Sequence, residues 1–293
     1  MNFVSCQQLL ADIRAWSQRL PADIVAVAGV PRSGVLAAAH LALERNIHLV
    51  TLDDLERGLT PWRSPLRRGV AAQSSGMVLV LDDTLHSGGT LTAVRRRLAR
   101  RNDVKYGAMY YTEWLPEVMD FGYRQLSQPR CFEWNLFHSD HLGRAGVDLD
   151  GVLCADWLGV EDDAGHGQAE YLRHVESATP LRLPTYPVMA VVTSRLEKYR
   201  PQTIGWLRRH GVLFRELVMS PHPTASARRA AGDHGRRKAL WYGRRTEAGL
   251  FVESDRRQAE EIARLTARPV LCTDGMQLIG TTRGSAAQPC QDL

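Results

Sequence analysis

Two segments of the chain combine carboxylates with small polar residues in patterns that favour phosphate chemistry. The first, residues 78–90, reads VLVLDDTLHSGGT: two adjacent aspartates follow an apolar run and precede a glycine-containing loop. Glycines let consecutive backbone N–H groups converge on an anion, and the helix expected after the loop adds its positive end. Asp82 and Asp83 can hold a ribose diol, directly or with magnesium. The lysine of a Walker loop is missing, so this is another kind of phosphate loop.

This segment resembles the PRPP-binding motif of type I phosphoribosyltransferases. The match comprises a strand, two acids, three spacer residues, a small polar residue, two glycines and a threonine. The resemblance implies that Asp82 and Asp83 bind the ribose hydroxyls and act in catalysis, while 86–90 cradle the 5′-phosphate. The PRPP-binding residues expected on this basis are Arg32, Ser33, Gly34, Asp82, Asp83, Thr84, His86, Ser87, Gly88, Gly89 and Thr90.

Two further segments lie where that family has functional loops. GVPRSG, residues 29–34, falls at the position of the pyrophosphate-binding loop, where Arg32 and the neighbouring amides can bind pyrophosphate. Residues 53–76 fall at the position of a mobile loop that closes over the reacting centre. Its candidates for neutralising the departing pyrophosphate are Arg57, Arg63, Arg67 and Arg68, and the sequence does not choose among them.

An aromatic group follows the last strands of this region and is a candidate base pocket. Flat rings can stack on a base, although such clusters also form ordinary cores. Phe132 or Trp134 is the residue expected to touch the base. The members of the group are Trp114, Phe132, Trp134 and Phe137.

The second chemical pattern begins at VDLDGVL, residues 147–153. Alternate strand positions point to the same face, so Asp148 and Asp150 can approach one site. One carboxylate can attack phosphorus while the other donates a proton to the leaving alcohol. A threonine, a lysine and two acids follow in order, each beside an apolar strand or at a helix start: Thr193, Lys238, Glu253 and Asp255.

This set resembles the four motifs of the haloacid-dehalogenase phosphatases. The resemblance implies that Asp148 is the nucleophile, Asp150 the general acid and base, and Thr193 a ligand of the phosphoryl oxygen. Lys238 would steady the nucleophile; Arg236 or Arg237 could replace it, but the rarity of lysine in this chain favours Lys238. Magnesium is expected to bind Asp148, the carbonyl oxygen of Asp150 and an acid from the pair Glu253 and Asp255. Which of these two acids contacts the metal is left open.

The elements that position these residues form two α/β series. Apolar runs alternate with helical patterns, which predicts two mostly parallel sheets with helices on both faces. We expect a phosphoribosyltransferase-like domain over 1–140, a Rossmann-like phosphatase domain with a minimal cap over 144–279, and a polar tail over 280–293. The predicted strands are 24–29, 48–52, 77–81, 105–112, 146–151, 188–193, 214–220, 249–254 and 269–273, and the helices 35–45, 90–101, 167–176, 199–210, 235–245 and 256–267.

Composition limits the partners and the compartment. The 293 residues carry a net charge of +5, but the arginines are spread along the chain rather than clustered with aromatics, which argues against nucleic acid. Five scattered cysteines without a CxxC pair indicate a reducing cytoplasm rather than a disulfide scaffold or zinc site. The absence of an apolar run of 18 residues or a signal pattern argues against a membrane role. A homodimer is expected only because transferases of this type are often dimers.

Together the patterns predict a bifunctional enzyme. The first domain would transfer phosphoribosyl from PRPP to a nucleobase-like acceptor, and the second would dephosphorylate the resulting nucleotide to a nucleoside, both with Mg²⁺. Two alternatives stay open: a magnesium-dependent nucleotide phosphatase whose first domain only senses PRPP or nucleotide, and a nucleotide-responsive regulatory protein. One degenerate domain is a further alternative.

Overall fold

Parallel strands alternate with helices in both halves of the chain, as the apolar runs predict. The computed structural model describes residues 1–58 and 76–280. These form two units, here called the first unit (residues 2–134) and the second unit (residues 135–280). The division between residues 134 and 135 falls a few residues before the boundary that the sequence suggests between 140 and 144. Among the described residues, no helix is long and apolar enough to cross a membrane.

The first unit is built on a five-stranded parallel sheet in the order β3-β2-β4-β5-β6. Its central strands are buried on both faces by separate apolar clusters, which explains their continuous hydrophobic runs. A second, two-stranded parallel sheet pairs β1 with β7. The elements are β1 (Asn2–Val4), α1 (Cys6–Ser17), β2 (Ile24–Gly29), α2 (Gly34–Arg45), β3 (His48–Val50), α3 (Leu52–Glu56), β4 (Met77–Leu85), α4 (Gly89–Arg97), β5 (Val104–Tyr111), β6 (Phe121–Gln125) and β7 (Arg130–Phe132).

Two differences from the predicted elements matter for the site. Strand β4 continues to Leu85 instead of ending at residue 81, so Asp82 and Asp83 lie within the strand and not in the loop. Strand β3 is shorter than predicted, because Thr51 caps α3 with a reciprocal hydrogen-bond pair to Asp54. Helix α1 and strands β1, β6 and β7 were not predicted at all.

The second unit contains a six-stranded sheet in the order β10-β9-β8-β11-β12-β13. Its strands are parallel except for the edge pair β12–β13. The elements are β8 (Ala145–Val147), α5 (Gly165–Ser177), β9 (Val188–Leu196), α6 (Arg200–Arg209), β10 (Phe214–Ser220), α7 (Ala225–Ala231), α8 (His234–Arg244), β11 (Leu250–Glu253), α9 (Arg256–Thr266), β12 (Val270–Cys272) and β13 (Gln277–Ile279), with 3₁₀ helices at Glu133–His138, Asp140–Arg144 and Glu197–Tyr199.

Helix α5 is the one helix between β8 and β9 in the second unit, which agrees with a small cap. The three central strands β9, β8 and β11 end at the same edge of the sheet, because they are parallel. The residues that follow their carboxyl ends therefore meet there, as ligand-binding residues do in open α/β sheets.

Candidate active sites

The first candidate site centres on Asp83, whose carboxylate is held on both oxygens. Asp83 is only 2% exposed. The Ser33 hydroxyl donates to its Oδ1 at 2.8 Å, and the Trp134 indole N–H donates to its Oδ2 at 2.7 Å. The side chain thus joins the segment before α2 and the residues after β7 to strand β4. Asp83 is oriented by these contacts, which leaves Asp82 as the less constrained acid of the pair.

Asp82 lies next to this fixed carboxylate. Its Oδ1 accepts a hydrogen bond from the backbone N–H of Asp83 at 2.9 Å. Burial, followed by the adjacent negative charge of Asp83, raises the pKa of Asp82 to about 8. The pair therefore resists double ionisation near neutral pH, and a hydroxyl-bearing or cationic ligand would relieve the repulsion.

The predicted phosphate loop lies between β4 and α4. Gly88 has φ +75° and immediately precedes the helix, and an added Cβ would lie 3.2 Å from Leu115 and Val118 side chains. No side chain of the described residues caps the start of α4, and Ser87, Gly89 and Thr90 are exposed. The loop therefore offers free backbone donors and hydroxyls to an anion.

Two other residues of the expected PRPP set, Thr84 and His86, differ in their surroundings. The Thr84 hydroxyl is buried without a hydrogen-bond partner among residues 1–58 and 76–280. His86 is exposed, and its Nδ1 lies 3.3 Å from the hydroxyl of Thr112. Neither contact assigns these side chains to a ligand.

The segment 29–34 reaches the acid pair through a close backbone approach. A Cβ on Gly34 would lie 2.7 Å from the Leu81 carbonyl oxygen, so glycine lets α2 begin against β4. Arg32 is exposed, and the Pro31–Arg32 peptide is cis. Arg57 is exposed at the end of α3. The other three candidate arginines, Arg63, Arg67 and Arg68, lie outside the described residues.

The aromatic candidates separate into different environments. Phe132 is buried in the core cluster beneath the sheet, and Trp134 packs against it at a centroid distance of 5.1 Å. Trp114 is 46% exposed, and Phe137 belongs to the second unit. Trp134 is therefore the aromatic that contacts the acid pair, whereas Phe132 serves mainly as core. Sequence reasoning missed Arg130, which is buried beside Phe132.

The second candidate site is built around Lys238, a buried lysine on α8. Its ammonium donates to Asp148 Oδ2 at 2.8 Å, to Glu253 Oε2 at 2.7 Å and to Gln258 Oε1 at 2.9 Å. Arg237, one of the alternatives to this lysine, instead donates to the Met219 carbonyl. Lys238 is thus the cation in contact with the predicted nucleophile.

Charge is not balanced in this buried group. Burial and the neighbouring Glu253 raise the pKa of Asp148 well above its usual value, and Lys238 only partly offsets them. Burial lowers the pKa of Lys238, but its two carboxylate partners outweigh that effect and raise it. One ammonium thus serves two carboxylates, and the excess negative charge suits a cation or a proton.

Asp150 is held by an arginine that the sequence analysis did not single out. Arg195, buried on β9, donates from Nη2 to Asp150 Oδ1 at 2.6 Å and from Nε at 3.0 and 3.1 Å. Burial raises the pKa of Asp150, but Arg195, helped by His174, outweighs burial and lowers it. The only sequence signal for Arg195 is its place two residues after Thr193.

The second unit contains a cavity lined by Asp148, Asp150 and Lys238 among others, and Thr193 is not among its lining residues. Its hydroxyl accepts a hydrogen bond from the backbone N–H of Arg195 at 3.1 Å and lies 3.5 Å from Asp150 Oδ2. The neighbouring Ser194 lines the cavity instead. Thr193 thus lies beside Asp150, and its predicted contact with a phosphoryl oxygen stays a prediction.

The cavity measures about 390 Å³, within the range of small-molecule sites. One wall is apolar and is formed by Trp157, Gly159, Val160 and Tyr171. The loop that carries Trp157 is tied down by Asp163, which accepts backbone hydrogen bonds at the start of α7 that lower its pKa to about 2. Its charged lining among the described residues comprises Asp148, Asp150, Asp156, Glu161, Glu253, Asp255, Arg195, Arg228, Arg229 and Lys238.

The oxygen donors of this site fit magnesium. No cluster of three or more His, Cys, Asp or Glu side chains is arranged as a metal site among the described residues. Glu253 is fully buried and its oxygens accept from Lys238 and from the Ser254 and Asp255 amides. The Asp150 carbonyl, Asp148 and Asp255 also accept hydrogen bonds within the protein, so which of these hard oxygens and those of Glu253 would bind a metal ion stays a prediction.

Comparison with known proteins gives limited information. No protein-family model matches the chain, and a search of curated proteins finds no match. Among solved structures, the chain is similar to a purine phosphoribosyltransferase from Pyrococcus horikoshii Ot3, with 20% identity over 46% of this chain and 95% of that one and a TM-score of 0.34. It is also similar to the Helicobacter pylori xanthine-guanine-hypoxanthine phosphoribosyltransferase, with 17% identity over 45% and 92% and a TM-score of 0.33. TM-scores below 0.5 establish neither fold nor activity by themselves.

Proposed function

We propose that the chain is a bifunctional enzyme of nucleotide metabolism. The first unit transfers the phosphoribosyl group of PRPP to a nitrogenous base, and the second unit hydrolyses the resulting nucleoside 5′-monophosphate. The proposal is supported by two contacts between predicted site residues, from Ser33 to Asp83 in the first unit and from Lys238 to Asp148 in the second.

In the first reaction a ring nitrogen of the base attacks C1′ of PRPP, and the C1′–O bond to pyrophosphate breaks. Asp82 and the oriented Asp83 bind the ribose hydroxyls, while the amides and hydroxyls of residues 86–90 bind the 5′-phosphate. Arg32 contributes positive charge toward the departing pyrophosphate. This assignment depends on the free donors at the start of α4 and on the geometry of the acid pair.

In the second reaction a carboxylate oxygen of Asp148 attacks phosphorus, and the bond from phosphorus to the 5′ oxygen breaks. Asp150 supplies a proton to the leaving oxygen and later removes one from the water that hydrolyses the aspartyl phosphate. Lys238 orients Asp148 and offsets the charge of the phosphate. Asp148, Asp255 and the Asp150 carbonyl would hold Mg²⁺, which when bound supplies positive charge at the phosphoryl oxygens.

Joining the two reactions in one chain has a chemical consequence. Removal of the 5′-phosphate consumes the product of the first step, so phosphoribosyl transfer cannot run backwards. Covalent connection also raises the effective concentration of the monophosphate near the phosphatase.

A paired product assay tests the proposal. Wild type, Asp148→Asn and the double variant Asp82→Asn/Asp83→Asn are incubated with PRPP, Mg²⁺ and a panel of bases, and products are followed by mass spectrometry. We expect Asp148→Asn to accumulate a nucleoside monophosphate that wild type converts to nucleoside. The double variant should lose pyrophosphate release yet still hydrolyse added monophosphate, which also shows that the second unit stays folded.

Other outcomes assign a different role to the first unit. If no base consumes PRPP while wild type still dephosphorylates nucleotides, transfer is wrong. A PRPP-dependent change in phosphatase rate would then indicate a sensor. If neither reaction occurs, both enzymatic assignments fail.

A further inference from the structure

Arg130 is a buried cation that has no acidic partner among residues 1–58 and 76–280. It lies on β7 and is 4% exposed. Its Nη2 donates to the Leu85 carbonyl at 2.7 Å, while its buried Nη1 has no hydrogen-bond partner among residues 1–58 and 76–280. Within that part of the chain, no carboxylate lies within 4.0 Å of its guanidinium. Buried arginine charge ordinarily requires pairing.

Arg195 shows how this chain satisfies a buried arginine elsewhere. Its guanidinium is fully enclosed, and it donates three hydrogen bonds to the carboxylate of Asp150. Arg130, in contrast, donates to the neutral carbonyl of Leu85 and not to a carboxylate of the described residues. Burial therefore lowers the pKa of Arg130, and the more distant charge of Asp83 offsets this only in part. The unmatched donor calls for an oxygen that the described protein does not supply.

The position of Arg130 relates it to the first candidate site. Its hydrogen-bond acceptor, Leu85, ends the strand that carries the acid pair, at the edge of the sheet where ligands bind in such folds. The Phe132 ring centroid lies 5.7 Å from its Cζ. Trp134, which packs on Phe132, donates its indole N–H to Asp83. A donor-only cation, flat rings and the ribose-binding acids thus belong to one region.

We propose that Arg130 selects the acceptor base by donating to one of its oxygens. The acceptor class is a flat heterocycle with a ring carbonyl or a carboxylate, in preference to an amino-substituted one. This inference rests on the proposed transfer reaction of the first unit. Guanidinium has donors but no acceptor, so an exocyclic amino group in the same place would leave both partners unsatisfied. A site of this kind rejects the wrong group strongly, because burial makes an unpaired polar group costly.

The test compares oxo and amino bases in the full-length protein. Pyrophosphate release from PRPP is measured with hypoxanthine against adenine and with uracil against cytosine, for wild type, Arg130→Gln and Arg130→Lys. Arg14→Gln, which removes an exposed guanidinium paired with Glu44, is the matched control. We expect wild type to prefer one oxo base in kcat/KM, and Arg130→Gln to reduce that preference by roughly tenfold to a hundredfold. Arg130→Lys should retain part of it, and Arg14→Gln all of it.

Direct binding separates this inference from the transfer reaction itself. The same four bases are titrated into each protein by calorimetry, with PRPP present and with it absent. Loss of oxo-base binding in Arg130→Gln supports the inference even if no base is turned over, in which case only the transfer reaction fails. An unchanged preference in Arg130→Gln overturns the inference and assigns the free donor to a water. A wild-type preference for amino bases, or no binding of any base, also overturns it, whether or not the variants fold.

Discussion

Arg195 and Asp150 form a bidentate ion pair, with the shortest hydrogen bond, from Nη2 to Oδ1, at 2.6 Å. Because this contact lowers the pKa of Asp150, its side chain is a carboxylate at neutral pH. A carboxylate can accept a proton from water at once, whereas acting as an acid requires it to gain a proton first. The pair therefore favours the general-base half of the role proposed for Asp150, and the acid half requires the Arg195 contact to lengthen when substrate enters.

We expect Arg195→Met to destabilise the protein by about 3–5 kcal/mol, because it leaves the Asp150 charge buried without its partner. Adding Asp150→Asn should recover part of that loss by removing the uncompensated charge. Urea unfolding of the single and double variants measures both effects. A double variant no more stable than Arg195→Met would show that the guanidinium acts by packing rather than by pairing.

Lys238→Met should abolish phosphatase activity without affecting the first unit. Removing the ammonium leaves Asp148 and Glu253 to repel each other and takes away a preorganised charge at the phosphate. We expect phosphate release from added monophosphate to fall about a hundredfold or more, with pyrophosphate release from PRPP unchanged. Lys198→Met, which removes a half-exposed lysine paired with Asp163, is the control and should retain activity. Equal losses in the two variants would contradict the assignment.

The sequence predicted the alternating architecture well because the two large sheets are mostly parallel and their central strands are buried, so those strands are continuous apolar runs. The order of the second motif set and the rarity of lysine in this chain favour Lys238 over Arg236 and Arg237, and its ammonium donates to Asp148 in the structure. Helix α1 was missed although its signals are present: Ser5 caps it, and Leu9, Ile13 and Trp16 form its buried face.

Other site features could not be predicted because they depend on contacts between distant segments. The Trp134 indole reaches Asp83 from 51 positions along the chain, and the Arg195 guanidinium reaches Asp150 from 45 positions. No local periodicity encodes such pairs. Glu253 illustrates the same point, because its sequence position does not reveal that its buried carboxylate accepts a hydrogen bond from Lys238.

Asp82→Asn should stabilise the unliganded protein increasingly as the pH rises from about 4 to 8. Burial and Asp83 raise the pKa of Asp82 in the folded state to about 8. In the unfolded chain the pKa of Asp82 lies near 3.8, the ordinary value for aspartate. In that window the folded state binds the extra proton, so each rise in pH lowers the free energy of unfolding. Asparagine cannot ionise and removes this dependence. Melting temperatures at pH 5 and 8.5 measure the effect, with the exposed Glu113→Gln as control. A difference between Asp82→Asn and wild type that does not grow with pH would contradict it.

Trp134→Phe tests whether the indole N–H orients Asp83. Phenylalanine keeps a ring against Phe132 but removes the 2.7 Å hydrogen bond to Asp83 Oδ2, leaving Ser33 as the remaining side-chain donor. A hydrogen bond to a charged group contributes about 1.5–3 kcal/mol, so we expect the KM for PRPP to rise about tenfold or more. Because the proposed role of the acid pair is to bind ribose, and because the ring position is kept, kcat should change less than KM. Trp114→Phe, at an exposed position, should leave both constants unchanged. A fall in kcat with constant KM would instead place the indole at the base, against the positioning role.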